Sequence, residues 1–150
     1  VPSLSSLPLA LAAPDCHRAA HTLAGISGEL TWIEKSRARP SSYVGNHCSV
    51  GIIGPQGMIT NERFKFGIYL QTPETFYPAH SHEAEELYFL LSGTALWQKD
   101  AADFEPVASG SLIHHAPYQP HAMRTQELPL LALWSWTGNL SNDTYSFLVD

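Results

Sequence analysis

The spacing of apolar positions changes near residue 43, dividing the chain into an N-terminal helical segment, residues 1–42, and a β-rich remainder, residues 43–150. In the first part, Leu7 to Ala13 is a short apolar run that ends in small residues and is interrupted by Pro8. It has some features of a signal-peptide tail but lacks a basic flank, so it reads as a leader into a helix. Pro14 to about Ala24 predicts a first helix, with Pro14 and Asp15 suited to its first turn and Gly25 to its end. Ser27 to about Arg37 predicts a second, with Leu30, Ile33 and Trp32 on its apolar side, ended by Arg39-Pro40. His17 and His21 share one face of the first helix without a third ligand nearby, and read as capping or solvent-facing groups.

Beyond Tyr43 the pattern shortens. Segments rich in β-branched and aromatic residues recur between Gly, Pro and Asn turns, at roughly 43–53, 57–60, 64–71, 85–91, 94–99, 105–107, 111–115, 121–126, 130–137 and 144–149. Phe64, Phe66, Ile68 and Leu70 alternate with Lys65, Gly67, Tyr69 and Gln71, the signature of a half-buried strand. Ser92-Gly93 predicts a tight turn into Thr94–Lys99. Many short strands at this spacing point to a mainly β fold, a sandwich or barrel.

Composition narrows the function classes. The 150 residues fit one domain, and 44% hydrophobic content is enough for a sizeable core. A formal net charge of −6 and the absence of a basic run argue against nucleic acid or an anionic membrane as partner. No stretch approaches the roughly 18 apolar residues of a membrane span. Cys16 and Cys48 form no CxxC pair, and read as reduced thiols of a cytoplasmic protein. The chain begins at Val1, as a trimmed or processed product would.

The chemistry concentrates between Tyr77 and Gly93. His80, His82, Glu86 and Tyr88 are all even-numbered, so one unbulged strand would present all four on one face, with Leu87, Phe89 and Leu91 on the other. Two imidazoles and a carboxylate on a buried wall are costly without a partner, and a divalent metal is the simplest one. Pro117-Tyr-Gln-Pro-His121 can supply a fourth ligand. The pair HxHxxxE-then-Gly93 and Gly110-then-His121 resembles the two motifs of the cupin superfamily, which implies a single jelly-roll barrel (a double-stranded β-helix) carrying short N-terminal helices. Three neutral imidazoles and one carboxylate suit a divalent transition metal such as Fe, Mn, Zn or Ni, and ligand softness does not choose among them. One of His114 and His115 should face the interior, where His115 would support a ligand or touch substrate; His47 has no assigned partner.

A longer resemblance adds an activity. The runs YPAHSHEAEELYFLLSG, GSLIHHAPYQPHAMRT and PLLALWSW, within Tyr77 to Trp136, resemble the dimethylsulfoniopropionate (DMSP) lyases among bacterial cupins. Position by position, the resemblance implies metal ligands at His80, His82, Glu86 and His121, active-site tyrosines at Tyr88 and Tyr77, and a pocket tryptophan at Trp136. Some members are longer at the N-terminus, which leaves part of a lid or dimer contact to be sought outside this stretch. The implied reaction splits DMSP into dimethyl sulfide and acrylate. A phenol has a reference pKa of about 10, and a neighbouring dication would lower it, so Tyr88 is the expected base. Tyr77, Trp134 and Trp136 could hold the sulfonium by cation–π contact. Arg124 could assist the carboxylate or form a structural ion pair. The alternatives are another metal-dependent cupin enzyme, a dioxygenase or isomerase of a small acid, and a non-enzymatic small-ligand binder. Leu87 and Phe89 could pack on the helices or on a second subunit of a homodimer.

Overall fold

The computed structural model describes residues 1–34 and 38–148. Eleven strands are described: β1 (His47–Gly54), β2 (Ile59–Thr60), β3 (Lys65–Gln71), β4 (Phe76–Ser81), β5 (Glu85–Ser92), β6 (Ala95–Lys99), β7 (Glu105–Val107), β8 (Leu112–His115), β9 (His121–Thr125), β10 (Leu130–Thr137) and β11 (Ser146–Phe147). They form a six-stranded sheet in the order β2-β1-β3-β10-β5-β8 and a five-stranded sheet in the order β11-β4-β9-β6-β7. Both sheets contribute to one buried cluster that includes Tyr69, Tyr88, Leu90, Leu130 and Ala132 from the first and Tyr77, Ala95, Trp97 and Met123 from the second. The sheets therefore face each other across a shared core, the jelly-roll arrangement expected from the motifs.

The outer face of the six-stranded sheet is covered by the N-terminal segment. Leu7, Ala10, Ala20, Leu23 and Trp32 pack there against Cys48, Val50, Ile68, Leu70, Leu91 and Leu131. Phe89 joins this layer, so its apolar side chain is used inside the chain. Strand β3 is consequently buried on both faces rather than half-buried: Ile68 and Leu70 meet the helices while Tyr69 and Gln71 face inward.

The helices differ from the sequence expectation. The run from Leu7 is itself helical, α1 (Leu7–Leu11), and buries Leu7 and Ala10. The first predicted helix shrinks to a 3-10 turn, Arg18–Ala20, and α2 (His21–Ile26), because His17 is extended and its Nδ1 accepts from the Ala19 amide as an N-cap. The second predicted helix is not formed over its described part. A 3-10 turn, Ser27–Glu29, gives way to extended chain, and Ile33 pairs with Ser49 as an isolated bridge. Gly25 and Gly28 weaken a helix here, and β-branched Thr31 and Ile33 suit extended backbone. Lys35 to Arg37 of that prediction lie outside the described residues.

Two glycines answer to close packing. Gly93, at φ +84°, turns the chain between β5 and β6, where a Cβ would come 2.2 Å from the Pro129 carbonyl oxygen. Gly67 lets β3 pass beside β1 and Trp134, where a Cβ would meet the Val50 oxygen at 2.1 Å and the indole at 2.9 Å.

Candidate metal centre and active site

Strand pairing assembles the site. The chain does not run as one strand from His80 to Tyr88, as the even-number pattern suggested. Strand β4 ends at Ser81, and β5 starts at Glu85 in the opposite sheet. His80 and His82 therefore approach from one sheet, Glu86 and Tyr88 from the other. In the five-stranded sheet the register sets His80 directly opposite His121. In the six-stranded sheet Glu86 lies between Trp136 of β10 and His115 of β8.

Among the described residues, His82, Glu86 and His121 have ligand atoms that all lie within 4.8 Å of one another, and all three are buried. Glu86 Oε2 is 3.2 Å from His82 Nε2 and 3.2 Å from His121 Nε2. Donors about 2.1 Å from one ion and roughly at right angles would stand about 3 Å apart, so these separations suit a shared cation. The His80 ring adjoins this triad, its centroid 4.1 Å from that of His121.

The histidine tautomers sharpen the case. Nδ1 of His80 meets the Pro78 carbonyl at 2.9 Å, Nδ1 of His82 the Ala84 carbonyl at 3.0 Å, and Nδ1 of His121 the Gln119 carbonyl at 3.0 Å. A carbonyl only accepts, so each ring carries a proton on Nδ1, and in the neutral form that binds metals the lone pair is left on Nε2. Hydrogen bonds of this kind, made by the nitrogen that faces away from the ion, orient metal-binding imidazoles. In His82 and His121 that lone pair faces the carboxylate oxygen of Glu86, acceptor against acceptor, and buried His121 Nε2 has no hydrogen-bond partner. A cation among them would satisfy all three atoms. The residues present fit a divalent metal.

Burial keeps the His80 imidazole neutral, lowering its pKa well below the ordinary histidine range, and the nearby His121 adds to this. For Glu86, burial alone would raise the carboxyl, but the imidazoles gathered around it, His115, His121 and His82, outweigh it and hold it well below the usual range. Oε1 of Glu86 accepts from Trp136 Nε1 at 2.6 Å. The Tyr88 phenol is pushed well above its ordinary value by burial first, then by the nearby charge of Glu86.

A cavity of about 420 Å³ opens onto this cluster, its lining including His80, His82, Glu86, Tyr77, Tyr88, Trp134 and Trp136. The Trp136 ring lies against His82 at 4.3 Å, and Trp134 Nε1 donates to the Ile68 carbonyl at 3.3 Å. Two of the sequence candidates stand elsewhere. Arg124 is exposed and does not line the cavity; its guanidinium stacks over Phe76 at 4.6 Å and Phe104 at 5.8 Å. It sits on a strand between inward Met123 and Thr125, so alternation turns it outward. His115 is fully buried behind Glu86 and does not line the cavity, whereas His114 faces out and meets Glu85 at 2.7 Å.

Other residues reached the cavity without a motif to announce them. The Tyr145 hydroxyl hydrogen-bonds that of Tyr77 at 2.5 Å, and its ring stacks on His80 at 5.3 Å. Tyr43 hydrogen-bonds His47, whose ring packs on Tyr77 at 4.9 Å and Tyr69 at 5.3 Å. Phe147 arrives on β11, paired with β4. Arg39 and Lys65 also line the cavity, and Lys65 stands over the Trp136 ring at 5.0 Å. The density of tyrosines was the available signal; their convergence was not readable without the strand order.

Comparison with known proteins agrees with this geometry. Residues 1–132 match the dimethylsulfoniopropionate lyase family. The chain is 38% identical over 119 residues to the DddL protein of Cereibacter sphaeroides, covering 78% of this chain and 50% of DddL. It is 32% identical over 89 residues to the dimethylsulfoniopropionate lyase DddQ of Ruegeria pomeroyi, covering 59% of this chain and 44% of DddQ. The chain thus spans about half the length of these relatives. The crystal structure of DddQ from Ruegeria pomeroyi superposes with a TM-score of 0.80 at 21% identity, over 99% of this chain and 77% of that one. A cupin 2 conserved barrel protein from Rhodopseudomonas palustris superposes at 0.64 and 11% identity, over 80% of this chain and 78% of that one, which speaks for the fold alone. With its cupin fold and a match running through residue 132, the chain belongs to the dimethylsulfoniopropionate lyase family.

Proposed function

We propose that this protein is a metal-dependent carbon–sulfur lyase that cleaves DMSP to dimethyl sulfide and acrylate. The observation that carries the reading is the placement of two buried phenols, Tyr88 and Tyr77, beside a cluster of imidazole lone pairs on one carboxylate, within an aromatic cavity. His82, Glu86 and His121, with His80 beside them, would hold a divalent transition metal. Once bound, that ion would supply Lewis acidity at the substrate carboxylate and a positive charge that lowers the phenol pKa.

The remaining work falls to the chain's own groups. Tyr88 takes the proton from the carbon alpha to the carboxylate. The electron pair of that C–H bond becomes the carbon–carbon double bond of acrylate. The bond from the beta carbon to sulfur breaks, and its pair leaves with sulfur, so the sulfonium departs as neutral dimethyl sulfide. Among the described residues that line the cavity Glu86 is the sole acidic one, so the substrate cation would be held by ring faces rather than by an anion. Tyr77, Trp134 and Trp136 offer such faces, each contact being worth on the order of 0.5–2 kcal/mol. Arg124, outside the cavity, has no part in this reading.

The test is headspace detection of dimethyl sulfide from purified protein given DMSP. Release equal to the acrylate formed, lost with a chelator and regained with a divalent transition metal, supports the reading. Metal-loaded protein that releases no dimethyl sulfide, or releases it equally in chelator, overturns it. The His121→Ala variant should lose bound metal, measured by elemental analysis; full metal occupancy would remove His121 from the ligand set.

A further inference from the structure

Glu86 is held from behind by groups that do not reach the cavity. Trp97 on β6 and His115 on β8 come from opposite sheets and meet in the core. Trp97 Nε1 donates to His115 Nε2 at 2.9 Å. An indole nitrogen only donates, so this imidazole nitrogen is the acceptor and the ring proton resides on Nδ1. That Nδ1 lies 3.1 Å from Glu86 Oε2 and donates to it. The His115 ring also lies face to face with His121, centroids 3.7 Å apart and planes 9° from parallel. One ring therefore touches two members of the candidate ligand triad, and Trp97 decides which of its nitrogens carries the proton.

We infer that Trp97 and His115 form a positioning relay that holds the Glu86 carboxylate and the His121 ring in their cation-binding orientation. This rests on the reading of Glu86 and His121 as metal ligands. The physical need is plain. A glutamate has three rotatable side-chain bonds and could turn its carboxylate away from the imidazoles. Trp136 fixes Oε1 and His115 fixes Oε2, each with one donated hydrogen bond, and a carboxylate oxygen keeps a further lone pair for an ion. Neither Trp97 nor His115 lines the cavity, so neither meets substrate. They are positioning residues.

The relay differs from simple space-filling in one respect: it needs the proton on a particular nitrogen. The experiment is zinc affinity by competition with a chromophoric chelator, on wild type, His115→Leu, His115→Asn and Glu86→Gln, each checked for folding by circular dichroism. Proton–nitrogen correlation spectra of the histidine side chains of wild type and Trp97→Phe accompany it. In His115→Leu zinc binding weakens about 10- to 100-fold, whereas His115→Asn, whose amide N–H takes the place of Nδ1–H, stays within about threefold. The wild-type spectrum shows His115 protonated on Nδ1, and Trp97→Phe shows a mixture of tautomers. Wild-type affinity in folded His115→Leu, equal weakening in the Asn and Leu variants, or an Nε2–H tautomer in the wild type each overturns the relay. Should the variants fail to fold, the wild-type tautomer decides. Glu86→Gln separates the two levels. Unchanged affinity there removes Glu86 as a ligand and the relay with it, whereas loss there beside wild-type affinity in His115→Leu overturns the relay alone.

Discussion

The six-stranded sheet uses its two faces differently, although the same strands build both. Strand β5 turns Phe89 and Leu91 toward the N-terminal helices, and Glu86, Tyr88 and Leu90 toward the opposite sheet. Strand β1 buries Cys48 and Val50 on the helical side and presents His47 and Ser49 to the cavity. The helical face is mainly aliphatic, with Trp32 and Phe89 among its apolar side chains, and burial there pushes the Cys48 thiol up to about 12, with Glu34 adding to it. The inner face holds imidazoles, phenols and a carboxylate around an open space. Apolar burial contributes about 25 cal/mol for each Å² removed from water, and the outer face is held mainly by that gain. The inner face carries lone pairs that the protein alone leaves opposed. Stability and chemistry are thus divided between faces of one sheet.

Substitutions on the two faces should therefore fail in different ways. The largest effect belongs to Tyr88→Phe, which should lower the rate of dimethyl sulfide release by at least about 10²-fold while metal content stays at the wild-type level. Retained turnover would take Tyr88 out of the base role. On the other face, Leu131→Ala should cost about 2–5 kcal/mol in urea unfolding and leave zinc stoichiometry unchanged. A zinc loss in that variant would show that the two faces are not separable.

Acid should act through the inner face. Burial holds His115 down at about 4, from an ordinary 6.5, and lowers His80 as well. The unfolded chain takes up these protons first, so stability is full above about pH 6.5 and is lost as pH falls toward 4. The lowered Glu86 acts in the same sense, its contribution being lost as pH falls below its ordinary value of 4.5. Urea midpoints of chelator-treated protein from pH 7.5 to 4 should fall steadily; a flat profile would contradict neutral burial of these rings. The smallest effect is that of Arg124→Ala. Its stacking on Phe76 is exposed, so the variant should lose about 0.5–1 kcal/mol of stability and keep its KM for DMSP. A raised KM would return Arg124 to the site.

Local order along the chain was enough to find the strands and the residues of the candidate His/Glu cluster. The segments read from β-branched and aromatic runs correspond to β1 through β3 and β5 through β11 with ends shifted by a few residues, because alternation is a property of the strand itself. His80, His82, Glu86 and His121 were legible because their two motifs each sit within a short stretch. The N-terminal helices were less so. Gly25, Gly28 and the β-branched Thr31 and Ile33 compete with helical spacing, and the bridge from Ile33 to Ser49 decided the outcome.

What the amino-acid order determined by itself was which side chains alternate and which chemistry they carry, since both depend on neighbours two to four residues away. Only the tertiary structure decided that His80 and Glu86 come from opposing sheets, that Tyr145 reaches Tyr77 across 68 residues of chain, and that Arg124 points outward. It also directed the Trp97 N–H to His115 Nε2, and so the His115 Nδ1–H to Glu86. These facts depend on which strands lie side by side and in what register, and that is settled by the burial of the whole sheet rather than by any stretch within it.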